Sequence, residues 1–473
     1  MSSSFKLLNF IKPRQKVFSG QQKISKTSFN LLLRPPLYES SDETISFTHD
    51  IAIVPKNSYK AKIKLSGIGT SCIRHVFTRA GLDVVETKGP LDGWSLNWGR
   101  PPLSERRELA AFQTVNHFVN TLELGRKSNL SKNLNSFQEK FGEKLSFAPK
   151  TFLLPTQIRE AKEYLQHENI MILKPQSSSR GRGVRVVDKN SAISVTRKSL
   201  LQQYIPNPLL VNGKKFDMRL YVLVSNAAPL TVYIFPKGIV RFAVANYDAA
   251  SKDPAKHITN YSITKDSDCF SEAKDDYDIN ATKCSTIALW EYLRKHGVDI
   301  DPILAKIRDL VMKTVLSAES YFYEEYACSQ RNCYRVAHEL FGFDIMLDDS
   351  YNPWLIEVNT SPSTGTKTDF DKRLKYDLVS SVYDLVGLNL NLRQVNKKVT
   401  KNDKIKLFNK CPKLKSMNLS DAELYKIIQF DEEMHRANMF ELIYPTIETI
   451  PIYSKYFPEP RRENELIESF LMP

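Results

Sequence analysis

The apolar positions of the first half of the chain predict strands and helices in alternation. "KAKIKLSG" and "GLDVVE" have the pattern of strands, and "TSCIRHVFTRA" between them has apolar residues at helical spacing. Helical spacing also runs from "RRELAAFQTVNHFVN" to "SFQEKFG", and "IMILKPQSSSRGRGVRVVD" predicts a strand, a Gly/Ser loop and another strand. An α/β fold is therefore expected in this half.

The second half begins with a long β-rich region. "KFDMRLYVLVSNAAPLTVYIFPKGIVRFAV" contains several β runs separated by turn residues, which predicts an antiparallel sheet. Helices are expected at about 284–297 and 302–327, and "LFGFDIMLDDSYNPWLIEVN" then predicts a β-hairpin. Ser420 with Glu423 three residues later forms a capping-box pattern, which predicts the start of one more helix.

The hairpin combines an apolar face with a face that carries two acids. A symmetric turn at "DSYN" predicts three pairs on the apolar face: Phe343 with Val358, Ile345 with Ile356, and Leu347 with Trp354. On the other face it places Asp344 opposite Glu357, and Asn359 opposite Gly342, which leaves open space. Opposed carboxylates repel unless a cation lies between them, and three hard oxygen donors suit Mg²⁺ bound to nucleotide phosphates. The alternative is a solvated polar face.

Two other segments have patterns that suit nucleotide binding. In "KPQSSSRGRG", Lys174 ends a strand and Gly181 allows backbone amides to approach a phosphate, although a glycine-containing hairpin turn looks the same. In "KKFDMRLYVLV", Lys215, Asp217 and Arg219 share one strand face. Such a charged face is usually solvated, so each pattern is weak by itself.

Arg241 and the segment "HITNYS" add candidate polar groups. Arg241 lies among apolar neighbours in "GIVRFAV", where a guanidinium needs a carboxylate or phosphate partner. "HITNYS" offers short polar side chains near a strand end. Within it, His257 is more readily explained as a structural histidine than as a catalytic one.

Composition limits the classes of partner. The 473 residues carry a formal net charge of +14 and are 42% hydrophobic, which fits roughly two to four packed units and attraction to a polyanion. That polyanion could be nucleic acid, an anionic membrane or an acidic protein surface. The six cysteines show no CxxC pair or zinc spacing, so reduced thiols of an intracellular protein are expected. No apolar run reaches the roughly 18–20 residues that span a bilayer, and no nucleic-acid-binding motif is present.

Two segments are strongly basic. Residues 1–38 contain Lys and Arg but no Asp or Glu, a pattern shared with mitochondrial transit peptides, although we favour a solvated basic tail. Residues 393–415 carry nine Lys or Arg side chains against Asp403 alone, a local charge of +8. We interpret this second segment as a basic linker ahead of a helix.

Taken in order, these motifs resemble the tubulin tyrosine ligase-like family, and most closely its polyglutamylases. The matching segments are "DGWSLNWG", "VNHF" with "LGRK", "LPT", "KPQSSSRGRGV", "QQYIPNPLL", "KKFDMRLYVLV", "GIVRFA", "HITNYS", "ELFGFDIMLDDSYNPWLIEVNTSPS" and "FDKRLK". The resemblance covers about residues 60–390, and "DEEMHRANMFELIYPT" extends it into the tail. "NHFVNTLELGRKSNL" and "NTSPSTGTKTDFD" depart from the family's usual forms, which affects acceptor contacts more than the ATP site.

The resemblance implies an α/β ATP-grasp fold that binds ATP and Mg²⁺ between its central and C-terminal domains. The residues it assigns to the nucleotide are Lys127, Lys174, Arg180, Gly181, Gln202, Gln203, Tyr204, Ile205, Lys215, Phe216, Asp217, Thr259 and Asn260. Asp344, Glu357 and Asn359 match the family's magnesium ligands. Catalytic positions are matched by Arg180, Arg219 and Arg241, and substrate-binding positions by Arg180, Arg241, Tyr261, Ser262 and Lys375.

The resemblance also implies a domain order. The expected units are a flexible basic N-terminus at 1–40, an N-terminal α/β domain at 41–125, a central ATP-grasp domain at 126–200, a C-terminal ATP-grasp domain at 201–390, and a basic linker with a helical microtubule-binding tail at 391–473.

The activity implied is ligation of L-glutamate to γ-carboxylates in tubulin C-terminal tails, through an acyl phosphate and an isopeptide bond. Branch-initiating polyglutamylases carry an arginine at the position of Arg180 and elongating ones a glutamine, so branch initiation is expected. We expect a monomer that acts on microtubules in the cytoplasm and cytoskeleton, or in the cilium or basal body, without specific nucleic acid or a membrane. The alternatives are a glycine or tyrosine ligase of the same family and a microtubule-binding pseudoenzyme.

Overall fold

The computed structural model describes most of the chain between residues 62 and 472. The described residues are 62–66, 71–80, 82–86, 94–101, 113–168, 170–176, 183–191, 193, 198–205, 207–251, 253–259, 271, 273–328, 337–387 and 399–472. The basic N-terminus, with its two interpretations, lies outside them. Among the described helices, none has both the length and the apolar composition needed to cross a bilayer. Cys72, Cys284 and Cys411 are buried free thiols.

A parallel sheet begins the described chain. Its strands are β1 (Lys62–Ser66), β2 (Asp83–Glu86), β3 (Trp94–Gly99) and β4 (Thr114–Val115), in the order β2-β1-β3-β4. Helix α1 (Ser71–Arg79) connects β1 to β2 and buries Cys72, Ile73, Val76 and Phe77, which recur at helical spacing. The predicted strand–helix–strand order is confirmed.

Two helices lead from this sheet to the next. They are α2 (Leu122–Gly125) and α3 (Lys127–Phe141). The helical prediction is therefore confirmed for this stretch, but it is wrong for Thr114–Val115. That dipeptide pairs with β3, and Val115 also forms a bridge with Ala337, because strand partners distant in sequence outweigh local helical spacing.

A second, antiparallel sheet of four strands follows. Its strands are β5 (Thr151–Leu154), β6 (Ile170–Pro175), β7 (Arg185–Asp188) and β8 (Ser199–Gln203), in the order β5-β8-β6-β7. Helix α4 (Ile158–His167) covers it and buries Ala161 and Leu165. The two strands predicted on either side of the Gly/Ser loop are β6 and β7.

An eight-stranded antiparallel sheet forms the centre of the molecule. Its strands are β9 (Leu210–Val211), β10 (Lys214–Ala227), β11 (Leu230–Ile234), β12 (Ile239–Phe242), β13 (Lys283–Ser285), β14 (Glu339–Leu347), β15 (Pro353–Asn359) and β16 (Glu441–Tyr444). The long strand β10 pairs with β11 and β12 along one edge and with β14 along the other. Phe216, Met218, Leu220 and Val222 alternate along β10 and lie in the main core.

Five helices accompany this sheet in the described part of the chain. They are α5 (Pro254–His257), α6 (Thr286–Lys295), α7 (Asp301–Leu316), α8 (Glu319–Cys328) and α9 (Asp369–Val386). The segment predicted as one helix at 302–327 is two helices, separated at Ser317 and Ala318. The Ser317 hydroxyl donates to the backbone oxygen of Thr314, and such local hydrogen bonds compete with helix continuation.

The hairpin register is partly as predicted. Asp344 pairs with Glu357, and the two pairs that precede it, Gly342 with Asn359 and Phe343 with Val358, also match the prediction. Beyond Asp344 the register shifts by one residue, so that Ile345 pairs with Leu355 and Ile356 is the extra residue of a β-bulge. The predicted partner of Ile345 was wrong because the turn runs from Asp348 to Asn352 and is not symmetric about "DSYN". The corrected pairs nearest the turn are Met346 with Trp354 and Leu347 with Pro353.

A helical unit with a core of its own ends the chain. Its core is formed by α10 (Lys401–Lys410), a 3₁₀ turn (Pro412–Met417), α11 (Asp421–Arg436) and α13 (Arg462–Leu471), whereas α12 (Ile450–Tyr453) and a second 3₁₀ turn (Ser454–Tyr456) pack into the main core. The capping box of Ser420 and Glu423 at the start of α11 is confirmed. The unit is joined to the large sheet because β16 pairs with β11.

The prediction of a basic linker is wrong for residues 401–417. Leu407, Cys411 and Leu414 recur at helical spacing and are buried in the core that α10 shares with α11 and α13. Thr400 begins α10 with a capping box. The first part of the basic segment, residues 393–398, lies outside the described chain.

Candidate active site

Charged side chains line one face of the large sheet from β13 on one side to β15 on the other. Residues directly opposite each other in neighbouring strands lie on the same face, so strand pairing places each charge beside the next. In strand order they are Lys283 in β13, Arg241 in β12, Asp217 and Arg219 in β10, Asp344 in β14 and Glu357 in β15. The alternation in "KKFDMRL" therefore separates a charged face from the apolar core.

Two arginines and two aspartates form a buried network at the centre of this face. Arg241 donates two hydrogen bonds to Asp217, at 2.7 and 2.6 Å, and a third to Asp344 at 2.9 Å. Arg219 donates two hydrogen bonds to the carboxylate of Asp344. The four side chains are only 3–15% exposed, so the face is not the solvated surface that was the alternative.

Burial and charge act in opposite directions on the two aspartates. Burial would raise the pKa of Asp344, but the guanidinium groups of Arg219 and Arg241 outweigh it and hold that pKa well below its usual range. For Asp217, burial outweighs Arg241 and the Thr259 hydroxyl, and the pKa is raised. Asp344 is therefore a fixed negative charge at neutral pH.

The oxygen-bearing residues of the hairpin lie together. Glu357 is directly opposite Asp344 and forms a 2.9 Å ion pair with Lys127. Asn359 donates from Nδ2 to Glu357 at 3.3 Å, so its carbonyl oxygen remains for a cation. Two carboxylates and an amide oxygen fit Mg²⁺, which binds hard oxygen donors. Among the described residues, no group of three or more His, Cys, Asp or Glu side chains could hold a metal by itself.

Gly342 lets Arg219 approach the hairpin. A Cβ atom at this position would lie 2.8 Å from Cδ of Arg219 and 3.1 Å from Cβ of Pro362. The space expected opposite Asn359 is therefore filled by these two side chains and is not open. The glycine serves close packing of the arginine that binds Asp344.

Lys174 brings the second sheet to the hairpin. It is buried at the end of β6, and its ammonium group donates to Gln202 of β8. Burial lowers the pKa of Lys174 to about 8, while the nearby Glu357 raises it and Lys127 lowers it. These mutual influences place Lys174, Lys127 and Glu357 in one region, although they are far apart in sequence.

Lys215, Tyr204 and His257 form a hydrogen-bond chain beside the network. Lys215 donates to the Tyr204 hydroxyl at 3.1 Å, and this hydroxyl lies 2.7 Å from Nδ1 of His257. Nε2 of His257 is 2.6 Å from the backbone oxygen of Ser251, which only accepts, so Nδ1 accepts from Tyr204. Burial lowers the pKa of Lys215 to about 7 and lowers that of His257. His257 is thus a neutral structural residue.

The remaining candidate residues either make other contacts or lie outside the described part of the chain. Phe216 packs against Phe242 in the core, so only its backbone could contact a ligand. Gln203 accepts from the backbone of Lys150 at 3.2 Å, and Ile205 is buried. Five candidates lie outside the described residues: Arg180, Gly181, Asn260, Tyr261 and Ser262.

The comparison with protein families matches residues 104–394 to the family described as "Tubulin-tyrosine ligase family". The matched range includes every charged residue named above on the face of the large sheet, from Lys283 in β13 to Glu357 in β15. The chain belongs to the tubulin-tyrosine ligase family.

Curated proteins of the tubulin-tyrosine ligase family are similar over most of this chain. Tubulin monoglutamylase TTLL4 of Homo sapiens is 31% identical over 445 residues, which are 85% of this chain and 37% of that protein. Tubulin polyglutamylase TTLL5 of Mus musculus is 30% identical over 484 residues, which are 92% of this chain and 36% of that protein. Tubulin polyglutamylase ttll-4 of Caenorhabditis briggsae is 32% identical over 401 residues, which are 79% of this chain and 66% of that protein. This chain spans little more than a third of the first two relatives.

In this member of the tubulin-tyrosine ligase family, Lys375 of α9 belongs to a cluster at the β13 side of the face. Its ammonium group donates to the backbone oxygen of Ser363 at 2.7 Å and lies 3.5 Å from Asp371. Lys283 lies 2.7 Å from the other oxygen of Asp371. Lys283 and Asp371 were missed from sequence, because "ATKCST" is too short for a strand pattern and an acid in a first helical turn is common.

Proposed function

We propose that this protein is an ATP-dependent ligase that joins glutamate through an isopeptide bond to γ-carboxylates of glutamates in tubulin C-terminal tails. The observation that carries the proposal is the buried face of the large sheet, where cationic side chains and hairpin acids stand side by side. A metal, nucleotide phosphates and carboxylate substrates need this combination of charges. The names of the relatives, tubulin monoglutamylase and tubulin polyglutamylase, support the choice of tubulin and glutamate.

An ATP-grasp arrangement would bind the nucleotide between the second sheet and the large sheet. The proposed central domain is 126–200 and the proposed C-terminal domain is 201–390, after an N-terminal domain at 41–125. Burial lowers the pKa of Lys215 in the large sheet, and Lys174 of the second sheet lowers it further, so the two ammonium groups lie near each other. A polyphosphate between them would relieve this repulsion, with Gln202 in contact with Lys174.

The chemistry would begin with activation of the acceptor. A carboxylate is a poor electrophile because its leaving group would be oxide, and transfer of the γ-phosphoryl group of ATP makes an acyl phosphate. The amine of the donor then attacks the acyl carbon and phosphate leaves, so the products are the isopeptide, ADP and phosphate. Mg²⁺ held by Asp344, Glu357 and Asn359 would neutralise charge on the transferring phosphoryl group. Arg219 and Arg241 hold Asp344 in its ionised form and present cationic groups to the substrates.

A labelling experiment tests the proposal. Purified protein is incubated with ATP, Mg²⁺, microtubules and labelled glutamate, glycine or tyrosine, and the label in tubulin is counted. We expect label from glutamate only, with dependence on both ATP and Mg²⁺. Label from glycine or tyrosine in its place would assign the protein to another ligase class, and no label from any of the three would favour the pseudoenzyme.

Branch initiation is the finer part of the proposal. It rests on Arg180, which the resemblance places where the acceptor carboxylate meets the nucleotide, and whose guanidinium can hold a carboxylate through two parallel hydrogen bonds. The same assay with two peptides tests it. An unmodified tail peptide should be the better substrate, and preference for a peptide that already carries a glutamyl branch would assign elongation instead.

The basic helix α10 and the turn after it are proposed to bind the acidic surface of microtubules, which would place the enzyme on the cytoskeleton, including that of cilia. Lys401, Lys413 and Lys415 are exposed, and they would attract an anionic surface over a Debye length of about 8 Å at physiological salt. Changing all three to glutamate should weaken microtubule co-sedimentation and flatten its salt dependence, with ATP affinity unchanged.

A matched control variant replaces three exposed lysines elsewhere on the surface by glutamate. Lys162, Lys189 and Lys295 are exposed and lie in or beside other elements, so their replacement by glutamate alters net charge equally. Equal loss of microtubule affinity in both triple variants would mean that total charge, and not the α10 surface, is responsible.

A further inference from the structure

Residues 117–127, which follow strand β4, lie along the hairpin that carries the candidate metal ligands. At the start of this segment, Nδ1 of His117 is 2.7 Å from Oε1 of Glu339, the first residue of β14. The backbone amide of Phe118 donates to the other oxygen of the same carboxylate at 3.0 Å. The side chains of His117 and Glu339 are 5 and 0% exposed, so this joint is nearly excluded from water. The segment therefore begins at a fixed point on one strand of the hairpin.

The same segment also contacts the other strand of the hairpin. At its end, Nζ of Lys127 lies 2.9 Å from Oε2 of Glu357 in β15. Near its start, Nε2 of His117 lies 3.4 Å from the hydroxyl of Ser361, two residues after the candidate ligand Asn359. Both ends of the segment thus contact β15 or the residues that directly follow it.

Gly125 lets the middle of the segment lie directly against the end of β15. It is the last residue of α2 and does not have the positive φ that would itself require a glycine. A Cβ atom at this position would overlap Cγ2 of Thr360 and lie 3.3 Å from its Oγ1. Thr360 directly follows Asn359 in the chain. The absence of a side chain at Gly125 therefore has a packing reason, and the packing involves the neighbour of a candidate metal ligand.

The corner between α2 and α3 holds Gly125 in place. The carboxylate of Glu123 in α2 accepts from Nδ2 of Asn129 at 3.0 Å and from Nδ2 of Asn133 at 3.2 Å, both in α3. Nδ2 of Asn133 also donates to the backbone oxygen of Glu123 at 3.0 Å. Because these hydrogen bonds fix the corner, a larger residue at Gly125 would displace Thr360 and not α2.

We propose that Gly125 is a positioning residue that, with the rest of the 117–127 segment, holds the amide oxygen of Asn359 in place for the metal. This inference rests on the proposed function, which assigns Mg²⁺ to Asp344, Glu357 and Asn359, and adds how a segment before the ATP-grasp sheets sets the geometry of that site. Residues that orient metal ligands change metal affinity without touching the metal. Mg²⁺ needs nearly ideal octahedral geometry, so displacement of one oxygen weakens its binding.

Gly125→Ala tests the contact directly. The measurement is the apparent Kd of Mn²⁺, which stands in for Mg²⁺ and is followed by its EPR signal, at one fixed concentration of a non-hydrolysable ATP analogue. The added methyl group should displace Thr360 and raise this Kd by about tenfold. Thr360→Ser removes the Cγ2 atom, so the double variant Gly125→Ala with Thr360→Ser should recover most of the lost affinity.

Gly365→Ala is the matched control. A Cβ atom there would meet Oγ of Ser363 at 3.5 Å, which is an ordinary contact distance, so the Kd of Mn²⁺ should not change. Urea unfolding of the same samples shows whether each variant is folded. If Gly125→Ala folds poorly, Thr360→Ile enlarges the same contact from the β15 side and should also raise the Kd.

The outcomes separate this inference from the proposed function. An unchanged Kd in folded Gly125→Ala would overturn the inference alone, and so would a double variant that binds Mn²⁺ as weakly as the single one. An equal loss of affinity for the ATP analogue without metal would also overturn it, because the segment would then serve the nucleotide. An unchanged Kd of Mn²⁺ in Glu357→Gln would overturn the proposed metal site, and this inference with it.

Discussion

Glu357→Gln is expected to lower kcat/KM for glutamate ligation by about a hundredfold or more while the protein stays folded. The substitution keeps the size of the side chain and removes one of the two opposed carboxylate charges that fit Mg²⁺. The effect on stability should be small, about 1 kcal/mol or less, because the ion pair with Lys127 is partly exposed on both sides. Initial rates at several Mg²⁺ concentrations, with urea unfolding of the same samples, provide the measurement.

The control for this variant is Asp349→Asn. Asp349 lies in the exposed turn of the same hairpin, away from the charged face, so the same chemical change should leave the rate unaltered. Near-normal turnover in a well-folded Glu357→Gln protein would mean that Glu357 merely pairs with Lys127 and binds no metal.

The hairpin shows how far a strand pattern can be extended. Alternation placed Asp344 opposite Glu357 correctly, because side-chain period and charge pattern agree over that part of both strands. It assigned Ile356 to the wrong partner because one extra residue in a bulge reverses the faces beyond it. A bulge has no signal in apolar alternation, and here Leu355 takes the buried place while Ile356 is only partly buried.

The basic tail shows a different source of error. The nine Lys and Arg side chains of residues 393–415 favour a solvated linker, whereas the spacing of Leu407, Cys411 and Leu414 is that of one buried helical face. That spacing decides the structure, since burying these side chains stabilises α10 more than repulsion between solvated lysines opposes it. Charge runs on a surface therefore do not exclude a packed helix.

The site residues also differ in whether the sequence pattern could identify them. Lys215, Asp217 and Arg219 could be found from sequence, because a long strand with charges at every second position keeps them on one face. Lys283 could not, because its place on this face depends on the pairing of a three-residue strand with β12 and on an ion pair with Asp371 of a distant helix. Contacts between short, distant segments leave no period in the sequence.

The arginine–aspartate network has a consequence for folding as well as for chemistry. Arg241 donates three hydrogen bonds to two acids that are nearly excluded from water. Removing one member of a buried ion network leaves an uncompensated charge, whereas removing both partners of a pair leaves the rest balanced. The network can therefore be separated into its structural and its functional contribution by comparing single and double substitutions.

Arg241→Met is expected to lower the free energy of unfolding by about 3–5 kcal/mol and to reduce ligase activity by about a hundredfold or more. Addition of Asp217→Leu should restore more than half of the stability, because Arg219 then balances Asp344, but it should restore no activity. The stability loss of the single variant should shrink as pH falls, because protonation of Asp217, whose pKa burial already raises, removes its repulsion with Asp344, which Arg219 keeps ionised. Urea unfolding and initial rates measure the stability and the activity. The control is Arg294→Met, which breaks a partly exposed ion pair within a helix and should lower the free energy of unfolding by less than about 1 kcal/mol. Recovery of activity together with stability in the double variant would show that Arg241 acts only through folding.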